Sequence, residues 1–132
     1  MYLQINGEHL VSEVQKNFTS LFPWLKIEFF KCGEQHPAFK TIPSSWQLRE
    51  AWHLKKDKGL LKICDCMTVA DLEHTFMEEF GLTVHVFRRS GNGWLRTTMT
   101  DRWTLHQQND SGEEITRHMN EYLARIHVDI EL

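Results

Sequence analysis

The chain predicts an α+β fold made of two tandem β-α-β-β units related by a pseudo-twofold, with a C-terminal helix and strand appended, in one domain of 132 residues. Three observations predict it. First, apolar positions recur: at a separation of 58, Leu3 matches Leu61, Ile5 Ile63, Val11 Val69, Val14 Leu72, Phe18 Phe76 and Phe22 Phe80. One residue then drops out, and at a separation of 57 Leu25 matches Leu82, Ile27 Val84, Phe29 Val86, Phe30 Phe87, Lys31 Arg88 and Trp46-Gln47-Leu48 Trp103-Thr104-Leu105. A period of this size marks a duplicated supersecondary unit. Second, inside each unit an alternation of period two gives way to helical spacing and back again. Third, Ser90-Gly91-Asn92-Gly93 between two extended stretches is a hairpin signal.

Unit 1 occupies residues 1–59. Leu3 and Ile5 alternate with polar neighbours from Tyr2 to Asn6, which reads as a strand. Val11, Val14, Phe18, Leu21 and Phe22 fall on one face of a helix closed by Pro23. Leu25, Ile27 and Phe29 alternate with Lys26 and Glu28 as a second strand, and a helix between two strands predicts parallel neighbours joined by a right-handed crossover. The chain is expected to turn back over Cys32 to Ala38 into Phe39 to Ile42.

Unit 2, residues 60–109, repeats this. Lys62 to Cys64 is the strand; Val69, Leu72, Phe76 and Phe80 are the helix face; Leu82, Val84 and Val86 lead into the hairpin. Thr68 and Asp71 have the spacing of a capping box, and Gly81 suits a left-handed helix stop. After each hairpin a Trp-x-Leu segment reads as a capped single turn, with Trp46, Leu48, Trp103 and Leu105 as a plug over the open end of each unit. In the extension, 110–132, Ile115, Met119, Tyr122, Leu123 and Ile126 share a helical face, and Val128, Ile130 and Leu132 alternate as in an edge strand.

Composition places few limits on function. The chain is 41% hydrophobic and 25% charged, with five Trp and eight Phe, which suffices for a core without a metal or disulfide. A formal charge of −3 identifies neither a polyanion binder nor an acidic mimic. Three Cys, and a start at Met1-Tyr2-Leu3 with no basic, apolar leader, predict a reducing, cytoplasmic compartment. No apolar run approaches the roughly 20 residues of a membrane span.

The run Phe87 to Leu95, with Thr100 to Leu105 and Gln107-Gln108-Asn109 after it, resembles a small family of uncharacterised bacterial proteins. The resemblance covers Met1 to about Asn109, and it implies no activity, cofactor or catalytic residue.

Three kinds of site remain. No nucleophile elbow, zincin helix, Walker loop or dinucleotide fingerprint is present, so no catalytic residue or cofactor is expected. His74 with Glu78 and Asp71 has the spacing of a base and its orienter but also of a solvated pair on the polar face. The leading expectation is a non-enzymatic interaction or assembly module, self-associating through Tyr122, Leu123, Ile126, Val128, Ile130 and Leu132. The second is a single-stranded nucleic-acid surface on the hairpin, where Arg88, Arg89 and Arg96 stand beside Phe87 and Trp94, with Arg49, Lys55, Lys56, Lys58 and Lys62 at the unit junction. The third is a metal or thiol site: Cys32, His36, Cys64 and Cys66 offer a tetrahedral sulfur and nitrogen set.

Overall fold

A computed structural model describes residues 1–31, 41–50 and 55–131. Its elements are β1 (Tyr2–Asn6), α1 (Val11–Leu21), β2 (Leu25–Phe30), β3 (Lys58–Lys62), α2 (Val69–Thr75, continued by a wider π-type turn over Phe76–Phe80), β4 (Thr83–Ser90), β5 (Gly93–Arg96) and α3 (Leu105–Glu131). The architecture is α+β, with two small antiparallel sheets, β1-β3 and β2-β4-β5.

Strand pairing differs from the expected crossover. β1 and β2 are not neighbours: β1 pairs antiparallel with β3, and β2 antiparallel with β4. Each ladder contains one pair at the separation of the sequence match, Leu3 facing Leu61 and Glu28 facing His85. The physical reason lies in burial. Each strand has one apolar face, and pairing across the two halves lets Leu3, Ile5, Leu61 and Ile63 meet Phe18, Phe76, Ile27 and Val84 in one buried cluster.

The helix starts are held by the same device in both halves. α1 has no side-chain cap, and its first amides reach across the molecule: Val11 N–H donates to Trp46 O at 2.8 Å and Ser12 N–H to Ser44 O at 3.0 Å. In α2, Val69 N–H donates to Trp103 O at 3.1 Å and Ala70 N–H to Asp101 O at 2.9 Å, beside the Thr68–Asp71 capping box. The Trp-x-Leu segments therefore supply backbone carbonyls to otherwise orphaned helix donors. Leu48 and Leu105 are buried, but Trp46 and Trp103 remain 40% and 41% exposed, so the leucines alone plug the core. Gly81 has φ 70°, the left-handed stop expected after α2.

The C-terminal expectation fails in one respect. Val128 and Ile130 lie within α3, a single helix of 27 residues, and no strand follows among the described residues; Leu132 lies outside them. A short apolar alternation cannot compete with propagation of a helix already nucleated and anchored. The same helix begins at Leu105 and runs through residue 110, where the extension was expected to start. Thr104 and Gln107 form a reciprocal cap at its start, Gln107 N–H donating to Thr104 Oγ1 at 3.1 Å and Thr104 N–H to Gln107 Oε1 at 2.9 Å. The second Trp-x-Leu segment thus opens a long helix, where the first opens a single turn, Leu48–Glu50. The expected hairpin over Cys32 to Ala38 lies outside the described residues; beyond it, Ile42 N–H donates to Phe29 O at 2.7 Å.

Candidate functional site

The hairpin β4-β5 divides its basic residues between two faces. Arg88 continues the buried row of Val84 and Val86 and turns toward α3, where it donates to Gln108 Oε1 at 3.0 Å and lies 5.5 Å from the Trp103 ring. Among the described residues its Nε is buried without a partner. Gln108 is fully buried and donates from Nε2 to Thr100 O at 2.7 Å and Thr100 Oγ1 at 2.9 Å. Arg88 therefore anchors α3. The neighbouring Asn109 accepts Trp24 N–H at 2.8 Å. The run Gln107-Gln108-Asn109 is thus a capping residue, a buried amide and a loop clasp in succession.

The opposite face of the sheet gathers the other cations onto rings. Lys26 Nζ sits 5.0 Å from Trp94 and 5.5 Å from Phe87, Arg89 sits 5.1 Å from Trp94, and Arg96 sits 5.6 Å from Phe30. The register makes this one surface, since Lys26 faces Phe87, Phe87 faces Arg96, and Arg89 faces Trp94 across three strands. Glu28 is the acid on this face; it pairs with Lys26 at 3.1 Å and accepts from Gln15 at 3.0 Å. Gln15 and Thr19 of α1 also donate to the edge carbonyls of Ile27 and Leu25, at 2.9 and 3.0 Å, which closes the free edge of β2 to further strands. An open groove of about 650 Å³ runs between this flank of α1 and Trp94. The structure thus brings Arg89, Trp94 and Arg96 together, and sets Arg88 apart. At the unit junction, Arg49 is engaged by Asp57 at 3.4 Å and Glu8 at 3.7 Å.

Cys64 and Cys66 follow β3 and are joined by a disulfide, with Cα atoms 5.1 Å apart. A bonded pair offers no thiolate, so the zinc set applies only to the reduced chain; Cys32 and His36 lie outside the described residues. Among the described residues, Cys64, Asp65 and Cys66 could present three ligand atoms within 4.8 Å. A bridge across so short a loop restricts the unfolded chain by only about 1.6 kcal/mol in the chain-entropy model. His74 and Glu78 are both exposed and form no ion pair among the described residues; the π-type turn from Phe76 changes the i, i+4 spacing between them.

α3 is buried at Leu105, Gln108, Gly112 and Thr116, and every residue from Arg117 to Arg125 is exposed. Met119 touches the hairpin tip beside Gly91, and beyond it Tyr122 and Leu123 are 64% and 51% exposed. Among the described residues no helix is long and apolar enough to cross a membrane. No family model, curated protein or solved structure matched the chain.

Proposed function

We propose that the protein is a small non-enzymatic assembly module of the cytoplasm, built from a duplicated β-α-β-β unit, in which the free end of α3 pairs with a second copy of the chain. The observation that carries this reading is the departure of α3 from the body beyond Met119, which leaves Tyr122 and Leu123 uncovered. A helical stretch this short is marginal in water without packing. Ile115, Met119, Tyr122 and Ile126 are spaced four, three and four apart, so the row reads the same in both directions. In an antiparallel twofold pair Ile115 meets Ile126 and Met119 meets Tyr122, and Glu114 comes near Arg125 of the other helix. Two i, i+4 side-chain pairs along the stretch, Glu113 with Arg117 and Glu114 with His118, support the helix itself.

Sedimentation velocity from about 5 to 200 µM tests this. The expected result is a dimer that Tyr122→Glu with Leu123→Glu converts to a monomer of unchanged far-UV circular dichroism. A wild-type chain that stays monomeric throughout removes the proposal.

A second reading rests on a different observation, the convergence of Lys26 and Arg89 on Trp94 with Arg96, Phe30 and Phe87 on the same sheet face. Rings that stack and cations that neutralise phosphates are the requirements of a single-stranded nucleic-acid surface. Fluorescence anisotropy with a labelled oligonucleotide at low salt checks it. Arg89→Ala with Trp94→Ala is expected to weaken binding by about 5- to 150-fold, the loss of one stacked base, and to flatten the salt dependence by nearly one phosphate. No binding at high micromolar wild-type protein ends this reading.

A further inference from the structure

We infer that the Cys64–Cys66 pair is a thiol–disulfide exchange site, opened by an incoming thiolate and closed again without disturbing the fold. This goes beyond the assembly reading and does not depend on it. Cys64 is half-buried and Cys66 exposed, so the bond can be reached from solvent. The bridge spans one intervening residue and does not hold distant parts of the chain together. What fixes this loop is its backbone. Met67 N–H donates to Cys64 O at 3.1 Å, His106 N–H to Asp65 O at 3.0 Å, and Leu105 N–H to Met67 O at 2.9 Å. These bonds tie the loop to the start of α3 and survive reduction, so the two sulfurs stay neighbours and reoxidation is an intramolecular step at high effective concentration.

The two sulfurs are not equivalent. Cys66 N–H donates to Cys64 Sγ at 3.1 Å, placing a donor where charge gathers when Cys64 is the leaving group. An incoming thiolate therefore attacks the exposed Cys66 Sγ. The S–S bond breaks, its electron pair goes to Cys64 Sγ, and a mixed disulfide forms on Cys66. A second thiolate attacks the incoming sulfur of that mixed disulfide and releases Cys66 as a thiolate. The pair gains two electrons and the external thiols become a disulfide. In a reducing compartment, the one the odd cysteine count predicts, the disulfides that form are mainly transient and either catalytic or redox-sensing.

The test uses the full chain carrying Cys32→Ser, so that the third cysteine cannot exchange with the pair, purified in air without reductant. Alkylation followed by peptide mass spectrometry is expected to find Cys64 and Cys66 joined and unlabelled. Millimolar dithiothreitol without denaturant should make both alkylatable with unchanged far-UV circular dichroism, and its removal in air should restore the bond. With glutathione, trapped adducts should sit on Cys66 at least tenfold more often than on Cys64. Glutathione and a protein dithiol, compared at equal thiol concentration, distinguish a small-molecule from a protein partner by rate. The inference is overturned if the untreated pair is already alkylatable, if the bond yields only after unfolding, or if adducts divide equally between the two cysteines.

Discussion

Gln108 is a single buried amide that serves two partners, accepting from the Arg88 guanidinium and donating to Thr100. A hydrogen bond adds little net stability, but a buried group stripped of its partner costs its full desolvation. Gln108→Ala leaves a partly buried cation and a carbonyl without their partners, and urea melts should show a loss of about 1–3 kcal/mol. Arg88→Ala should destabilise similarly, which is why oligonucleotide binding is better probed at Arg89. In the core, Phe18 and Phe76 are fully buried, Phe76 standing edge-on to Phe29 with centroids 6.0 Å apart. Truncating either to Ala should cost about 3–5 kcal/mol as a cavity. A loss below about 1 kcal/mol at both sites would place these rings outside the core.

At the level of elements, α3 is two helices in function. Its first three turns are clamped: a Thr104–Gln107 cap, the Gln108 amide, the Asn109 clasp on Trp24, and Thr116 Oγ1 accepting Gly91 N–H at 3.1 Å. Gly112 permits this approach, because a Cβ there would stand 3.1 Å from Trp24 O and from Arg88 Cγ. Gly112→Val should therefore pry α3 from the hairpin, lowering stability by about 1–3 kcal/mol and altering Trp fluorescence, despite valine's better helix propensity. A melting curve equal to wild type would show that the helix does not need this contact. Among the described residues the far half of α3 has no such clamps. Its helicity depends on what covers Tyr122 and Leu123, so far-UV ellipticity should fall on dilution if the second copy is the cover.

For the whole molecule, the ladders join the two halves into one cooperative unit. Leu3 and Leu61 are directly opposed and both buried, so each Leu→Ala change should cost about 2–5 kcal/mol. Their double mutant should show a coupling of about 0.5–3 kcal/mol, because the two side chains share one space. Strict additivity in urea melts would mean that the β1-β3 ribbon is not a packing unit.

What the sequence determined by itself is what local chemistry controls. Apolar spacing places β1, α1, β2 and the buried faces of Val11, Val14 and Phe18; Thr68 with Asp71, Gly81, and Gly91-Asn92 mark a helix start, a helix stop and a turn. The Thr104-x-x-Gln107 cap is a pattern of the same local kind, but the segment was expected to form only a single turn. Partner choice was not legible. A strand's alternation states that one face is buried without stating which strand lies beside it, and antiparallel pairing of β1 with β3 and β2 with β4 followed from the need to close one core over both halves. The tertiary structure likewise decided that Trp46 and Trp103 act through their carbonyls, which no side-chain pattern encodes. It turned Arg88 inward and Arg89 outward, because β4 alternates and only one of its faces meets α3. It also extended α3 through Val128 and Ile130, since those residues fit either periodicity and the anchored turns before them resolve the choice toward helix.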